Sequence, residues 1–144
     1  MVLHATAGTD SLDWLSGGSS PPVSSHFLVG KSMTWRIVPD NEIAYHAGIS
    51  KYYPYGGIHG EPGLNSVSLG VEIENLNDGV DPYTAYQVDK VADIVVQFYA
   101  AYGRIPVVSH EAVAPGRKTD PYLFPWAAFW GKVESKFGFL ESIS

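Results

Sequence analysis

Two histidines and one aspartate are placed where a sheet would bring them together. His4 closes an apolar opening, Val2-Leu3-His4-Ala5, and His110 follows a short apolar run, Ile105 to Ser109. In sheets flanked by helices, sites gather beyond the carboxyl ends of strands. After His110 comes Glu-Ala-Val-Ala-Pro-Gly-Arg-Lys-Thr-Asp-Pro, which Pro115, Gly116 and Pro121 predict to be a loop. A folded-back loop returns Lys118 and Asp120 to the strand end. Two imidazoles, one carboxylate and an open fourth position make the ligand set of hydrolytic zinc. The chain has no Cys, so thiolate-selective metals, a thiol nucleophile and a disulfide scaffold are excluded. A bland reading stands beside this one: a strand-end His that only hydrogen-bonds, and an Asp before Pro that only forms a turn.

Glu72 is the candidate proton carrier. Val67 to Ile73 reads V-S-L-G-V-E-I, with apolar residues at odd positions, the period of a half-buried strand. Glu72 shares the polar face with Glu74, where two carboxylates repel unless a cation is near. Either a metal or Lys118 would supply it, making Glu72 a general base for water activated by the metal. The alternative is a solvent-facing strand edge.

The elements that must position these groups are short. Strands are expected at Val2–Ala5, Ser25–Val29, Met33–Val38, Val67–Ile73 and Ile105–Ser109, with Lys31-Ser32 as a hairpin turn and the last strand in a covered central place. Thr84 and Gln87 form a capping box. The stripe Val88, Val91, Val95, Phe98 and Tyr102 then marks a core-facing helix closed by Gly103. A second helix is expected from Trp126 to Phe137, and a short one from Ser11 to Leu15 with Asp10 as N-cap. Together these predict an α/β (α+β-like) fold, a central mixed sheet of about five to six strands flanked by helices.

Length and composition bound the rest. The chain has 144 residues, the size of one domain, and 1–144 is read as a single catalytic unit. Nine Lys+Arg against fifteen Asp+Glu give a net charge of −6, which argues against nucleic acid as the main partner. With 17% charged and 13% aromatic residues the composition is not that of a disordered chain. No apolar run reaches the ~18 residues of a membrane span. The opening Met1-Val2-Leu3-His4 has neither the basic region nor the apolar stretch of a signal peptide. Action outside the cytoplasm therefore implies export by a holin or another route, or a leader already removed. With the first candidate ligand at residue 4, either the sheet pins the terminus or the domain is cut from a longer protein.

The residues also carry a resemblance. Val2-Leu3-His4-Ala5-Thr6, Ser25-His26-Phe27-Leu28-Val29, Ala44-Tyr45-His46-Ala47-Gly48, Asn65 to Glu74 and His110 to Pro121 occur in the order found in one family and cover nearly the whole chain. The chain resembles the zinc-dependent N-acetylmuramoyl-L-alanine amidases of the type 2 family. That family includes phage endolysins, bacterial cell-wall recycling amidases and the animal peptidoglycan recognition proteins. The resemblance implies one Zn2+ held by His4, His110 and Asp120, with Glu72 as catalytic acid and Lys118 as catalytic lysine over the developing oxyanion. It implies cleavage of the amide between the lactyl group of N-acetylmuramic acid and L-alanine, on the cell wall or its muropeptides, by a monomer. The biological setting is that of an endolysin, an autolysin or a recycling enzyme.

His46 and Asn65 match cleft-lining positions that contact the muropeptide, and Arg117 either grips a peptide carboxylate or makes a structural ion pair. His26 matches a structural or outer position, and His59 matches nothing. Tyr52, Tyr53 and Tyr55, in an irregular stretch from Lys51 to Gly63, either wall the sugar site or cover a small core. Only 22 residues separate His4 from His26, fewer than in many relatives, so the Gly/Ser/Pro stretch from Ser16 to Pro22 replaces or shortens a helix on one cleft wall. A binding module that recognises muropeptides without cutting them is the competing reading, and the complete ligand set weighs against it.

Overall fold

A computed structural model describes residues 1–20, 22–56 and 63–143. Gly57, His59 and Pro62 of the irregular stretch, and Pro21, lie outside the described residues. The strands are β1 (Val2–Ala5), β2 (Phe27–Val29), β3 (Thr34–Arg36), β4 (Gly70–Ile73) and β5 (Val108–Ser109). They form one sheet in the order β3-β2-β4-β1-β5. The sheet is mixed: β2 and β3 are antiparallel, while β1 pairs parallel with β4 and β5, and β2 parallel with β4. The helices are α1 (Ser11–Asp13), α2 (Ala85–Tyr102), α3 (His110–Val113) and α4 (Trp126–Ile143).

Period-two alternation sends the two faces of the sheet to different neighbours. Leu3, Val29, Val71 and Ile73 point into one core with Val88, Val91 and Val95 of α2 and with Phe129 and Val133 of α4. Each such side chain, fully buried, contributes about 1.5–3 kcal/mol. A charged residue at Val95, which is fully buried, would break the seam. On the opposite face Val2 packs with Ala47, Leu64 and Val113 in a smaller cluster. His4 and Glu72 share that second face.

The capping box forms as expected. Thr84 Oγ1 accepts from Gln87 N at 3.1 Å and Gln87 Oε1 accepts from Thr84 N at 3.0 Å. The Gln87 amide also donates to Val29 O and Glu74 O, at 3.2 and 2.7 Å. The same side chain therefore starts α2 and joins it to the ends of β2 and β4.

Several elements differ from the sequence reading. β4 begins only at Gly70, because Leu64–Ser66 form a 3-10 turn and Val67 is exposed. It lies in the middle of the sheet, so Glu72 is not on a solvent-facing edge. β5 is a two-residue edge strand rather than a central one, and Pro106 just before it has no N–H to extend the ladder. Asp10 has φ 56° and makes no side-chain cap, and α1 runs into a wider turn, Trp14–Gly18, broken at Gly17. The segment after His110 is not all loop: Ser109 Oγ accepts from Ala112 N at 3.0 Å and starts one helical turn before Pro115. α4 continues to Ile143 instead of stopping near Phe137. No helix among the described residues is long and apolar enough to cross a membrane.

Candidate metal centre and active site

The site is assembled by strand register. β1 lies against β4 with His4 opposite Glu72, and against β5 with Leu3 opposite Ser109. His110, the next residue, therefore emerges beside His4. The chain then doubles back: Ala114 O accepts from Arg117 N and Lys118 N at 3.1 and 3.0 Å, and Gly116 adopts φ 78°. The return is fastened twice, by Glu111 N to Asp120 O at 3.0 Å and by Ala5 N to Asp120 Oδ2 at 3.2 Å. His4, His110 and Asp120 are all buried.

The trio lacks a positive charge at its centre. His110 Nε2 is 3.1 Å from Ala47 O, and a carbonyl only accepts, so the proton is on Nε2. In the neutral ring Nδ1 is then a lone pair, yet it faces Asp120 Oδ1 at 3.1 Å. His4 Nδ1 lies 3.6 Å from Asp120 Oδ2. One ligand atom from each of the three residues falls within 4.8 Å of the others. Electron pairs converging this way need a positive ion among them, either an extra proton or a metal. Ligands at 2.0–2.2 Å around a tetrahedral zinc stand about 3.3–3.6 Å apart; the His4 spacing to Asp120, 3.6 Å, matches, and the His110 spacings, 3.1 and 3.2 Å, are a little shorter. Nitrogen, nitrogen and oxygen donors suit zinc.

Charge states agree with that role. Burial lowers the His4 pKa from 6.5 to about 4, against the pull of Asp120, so its ring is neutral at pH 7. Burial opposes the Asp120 carboxylate, but a proton shared with His110 and then His4 outweighs it and holds the pKa well below the usual carboxylate range, and a metal ion in that proton's place would act in the same direction. A metal ligand must be unprotonated, and both groups favour that form.

Glu72 is tuned the other way. Burial first, and then the charge of Asp120, raise its pKa from 4.5 to about 8, with Lys118 pulling it down. Its Oε2 is shut from solvent without a hydrogen-bond partner among the described residues. A carboxyl group that changes protonation near neutrality is suited to carry a proton. Glu72, Lys118 and the three ligand candidates line one cleft of about 810 Å³.

The remaining candidates separate. His46 reaches this cleft, but its Nδ1 is 2.9 Å from His4 Nε2 and its Nε2 3.4 Å from Ser68 O. Both ring nitrogens are turned to protein. Asn65 lines a different hollow, with Tyr52 and Tyr55, and its Oδ1 accepts from His46 N at 3.0 Å and Ala47 N at 2.7 Å. Arg117 makes no ion pair among the described residues. It donates from Nη2 to Ala47 O and from Nε and Nη2 to Ile49 O, all between 2.9 and 3.1 Å. That clamp holds the loop where Gly48 has φ 57°. His26 has a structural role: Nδ1 accepts from Gly70 N and Nε2 donates to Glu42 O. Tyr52 and Tyr55 stack on each other outside the catalytic cleft, and Tyr52 packs on the Val2 cluster, so they do not form its wall. The aromatic residues on its walls are Trp14 and Tyr45, both more than half exposed. Tyr45 sits beside His46 in sequence but carries no chemistry-bearing spacing of its own, and nothing local marks Trp14.

Comparison with known proteins agrees with the geometry. The profile of the N-acetylmuramoyl-L-alanine amidase family matches residues 1–123. The chain is 37% identical over 145 residues to the N-acetylmuramoyl-L-alanine amidase AmiD of Escherichia coli K12, covering 88% of this chain and 50% of AmiD. It is 34% identical over 97 residues to the 1,6-anhydro-N-acetylmuramyl-L-alanine amidase AmpD of Enterobacter cloacae, covering 65% of this chain and 48% of AmpD. The chain thus spans about half the length of these two curated relatives. Among solved structures it superposes on E. coli AmiD in complex with anhydro-N-acetylmuramic acid-L-Ala-D-gamma-Glu-L-Lys with a TM-score of 0.74, at 34% identity over 91% of this chain and 55% of that one. It superposes on Pseudomonas aeruginosa AmpDh3 in complex with anhydromuramic pentapeptide with a TM-score of 0.75, at 28% identity over 91% and 58%. By sequence and by fold, the chain belongs to the N-acetylmuramoyl-L-alanine amidase family.

Proposed function

We propose that this chain is a zinc-dependent amide hydrolase that cuts between the lactyl carbonyl of N-acetylmuramic acid and the nitrogen of L-alanine. The observation that carries the proposal is the convergence of His4, His110 and Asp120 as unprotonated donors beside a carboxyl group, Glu72, held near neutral pKa. The substrates named for the AmiD and AmpDh3 complexes support muropeptides as the ligand class. His4, His110 and Asp120 would hold one zinc ion, which when bound supplies a Lewis acid and makes water nucleophilic near neutral pH.

The chain's own residues do the rest. Glu72 takes a proton from the attacking water and delivers it to the departing alanine nitrogen. Lys118, close enough for its charge to lower the pKa of both Glu72 and His4, faces the carbonyl oxygen as it gains charge; one such donor is worth ~3–4 kcal/mol. Trp14 and Tyr45 offer apolar surface to the sugar or stem peptide. The protein acts as a monomer, 1–144 forming the catalytic unit, on the cell wall or its fragments as an endolysin, autolysin or recycling enzyme.

The test is a count of new L-alanine amino termini. Zinc-loaded protein incubated with purified sacculi, or with soluble anhydro-muropeptides, should release them, and chelator should stop the release until zinc is restored. The faster substrate separates a wall lysin from a recycling enzyme. Stable binding to sacculi with no new amino termini would establish the non-cutting module instead.

A further inference from the structure

We propose that the dipeptide His46-Ala47, fastened by the side-chain oxygen of Asn65, is one orienting element for both zinc-binding imidazoles. His46 Nδ1 accepts a hydrogen bond from the His4 Nε2–H, and Ala47 O accepts one from the His110 Nε2–H. Both Nδ1 lone pairs are left for a single metal ion. The proposal rests on the zinc reading above and names the residues that build the site for it.

The protons can be assigned one at a time. Ser68 Oγ is 2.5 Å from Leu64 O, so its only hydrogen is committed there. Its remaining lone pairs and its own carbonyl oxygen both lie 3.4 Å from His46 Nε2. Two acceptors at that nitrogen, both at long hydrogen-bond distance, assign the His46 proton to Nε2 in this reading. His46 Nδ1 is then a bare lone pair, and His4 Nε2, 2.9 Å away, must carry the proton between them. His4 Nδ1 is left bare on the side facing Asp120. His110 carries its proton on Nε2 because Ala47 O, 3.1 Å away, can only accept.

The dipeptide itself is held on every side. Asn65 Oδ1 accepts from both of its amides, His46 N and Ala47 N. Arg117 Nη2 shares Ala47 O at 2.9 Å. The His46 ring lies flat against Gly70, where a Cβ would come within 2.4 Å of His46 Cγ. A glycine at 70 therefore makes room for the ring, two residues before Glu72 on the same strand. Outer partners of metal-binding histidines fix tautomer and ring orientation, and their loss typically weakens metal binding 10–100-fold. Asn65 and His46 thus act as positioning residues.

The direct test needs no variant and no metal. In the chelator-treated, ¹⁵N-labelled wild-type protein at pH 7.5, long-range ¹H–¹⁵N NMR reads which ring nitrogen of each histidine is protonated. His4, His46 and His110 should all carry a proton on Nε2, whatever extra proton stands between the Nδ1 atoms and Asp120 in place of the metal. A bare Nε2 on His4 or His110, or a proton on His46 Nδ1, overturns the proposal. In parallel, zinc affinity is measured by competition with a chromophoric chelator. His46→Phe and Asn65→Leu should bind zinc 10–100-fold more weakly, while His46→Asn and Asn65→Asp, which keep an acceptor oxygen, should stay within about threefold. A folded His46→Phe that binds zinc as tightly as wild type also overturns it. Wild-type protein that takes up no zinc would instead sink the zinc reading while leaving the tautomer result to stand.

Discussion

His4 and His26 are equally buried, each 1% exposed, and each is tied to a strand of the same sheet. Their surroundings differ in one respect. Around His26 every ring nitrogen meets its complement: Nδ1 accepts from Gly70 N at 3.0 Å, and Nε2 donates to Glu42 O at 2.9 Å. Around His4 and His110 the donors are used up on the outer side, and bare nitrogens face a carboxylate within. Burial and residue type do not separate these two histidines. The proton count does, because an unbalanced set of acceptors is stable only with a cation, a proton or a metal ion, in it.

The strongest test of that contrast exchanges the two histidines for neutral substitutes. His4→Ala or Asp120→Ala should lose stoichiometric zinc and all measurable hydrolysis, checked by metal analysis and amino-terminus release. His26→Gln should keep one zinc per chain and turnover within a few-fold, at a stability cost of about 1–3 kcal/mol from the broken hydrogen bonds. Next in size, Glu72→Gln and Lys118→Ala should keep zinc and lose about 10²–10⁴ in kcat, since they act on the proton and the developing charge rather than on the metal.

A smaller effect appears in stability. Zinc at about a thousand times its Kd should stabilise the wild type by about 4 kcal/mol, read as a rise in Tm that chelator reverses. The rise should be absent in His4→Ala and retained in His26→Gln. The smallest effect concerns Glu72 alone. Its pKa is raised from 4.5 in the unfolded chain to about 8 in the fold, so the folded state holds its proton longer than the unfolded one. The contribution is fully present below about 4.5 and is lost as pH rises through about 8. Measured in chelator against Glu72→Gln, the wild type should lose relative stability across that window, by up to a few kcal/mol. A flat difference would place Glu72 in solvent rather than in the site.

The legible parts of this protein were those with a local cause. Thr84 and Gln87 announce α2 because both partners lie within one turn. His4, Glu72 and His110 could be phased because strand alternation is local, and Asp120 because a Pro/Gly loop must turn back. What depends on distant partners was not legible. Gly70, where β4 starts after the 3-10 turn, also meets the His46 ring and donates its N–H to His26, partners 24 and 44 residues away in sequence. The edge position of β5 follows from pairing with β1, over a hundred residues earlier. Asn65 and His46 were expected at the cleft, yet the Asn65 Oδ1 turns to backbone amides and the His46 Nδ1 to His4. Among the described residues Arg117 has no acidic partner but meets carbonyls, which sequence composition does not reveal.

Calorimetric titration of Zn2+ into the metal-free protein, with His4→Ala, His26→Gln and Asp120→Ala alongside, addresses the central claim most directly. One ion per chain in wild type and in His26→Gln, and none in the other two, is the predicted result. Undiminished binding in His4→Ala or Asp120→Ala, or no binding in wild type, would contradict the claim that these converging donors form the metal centre.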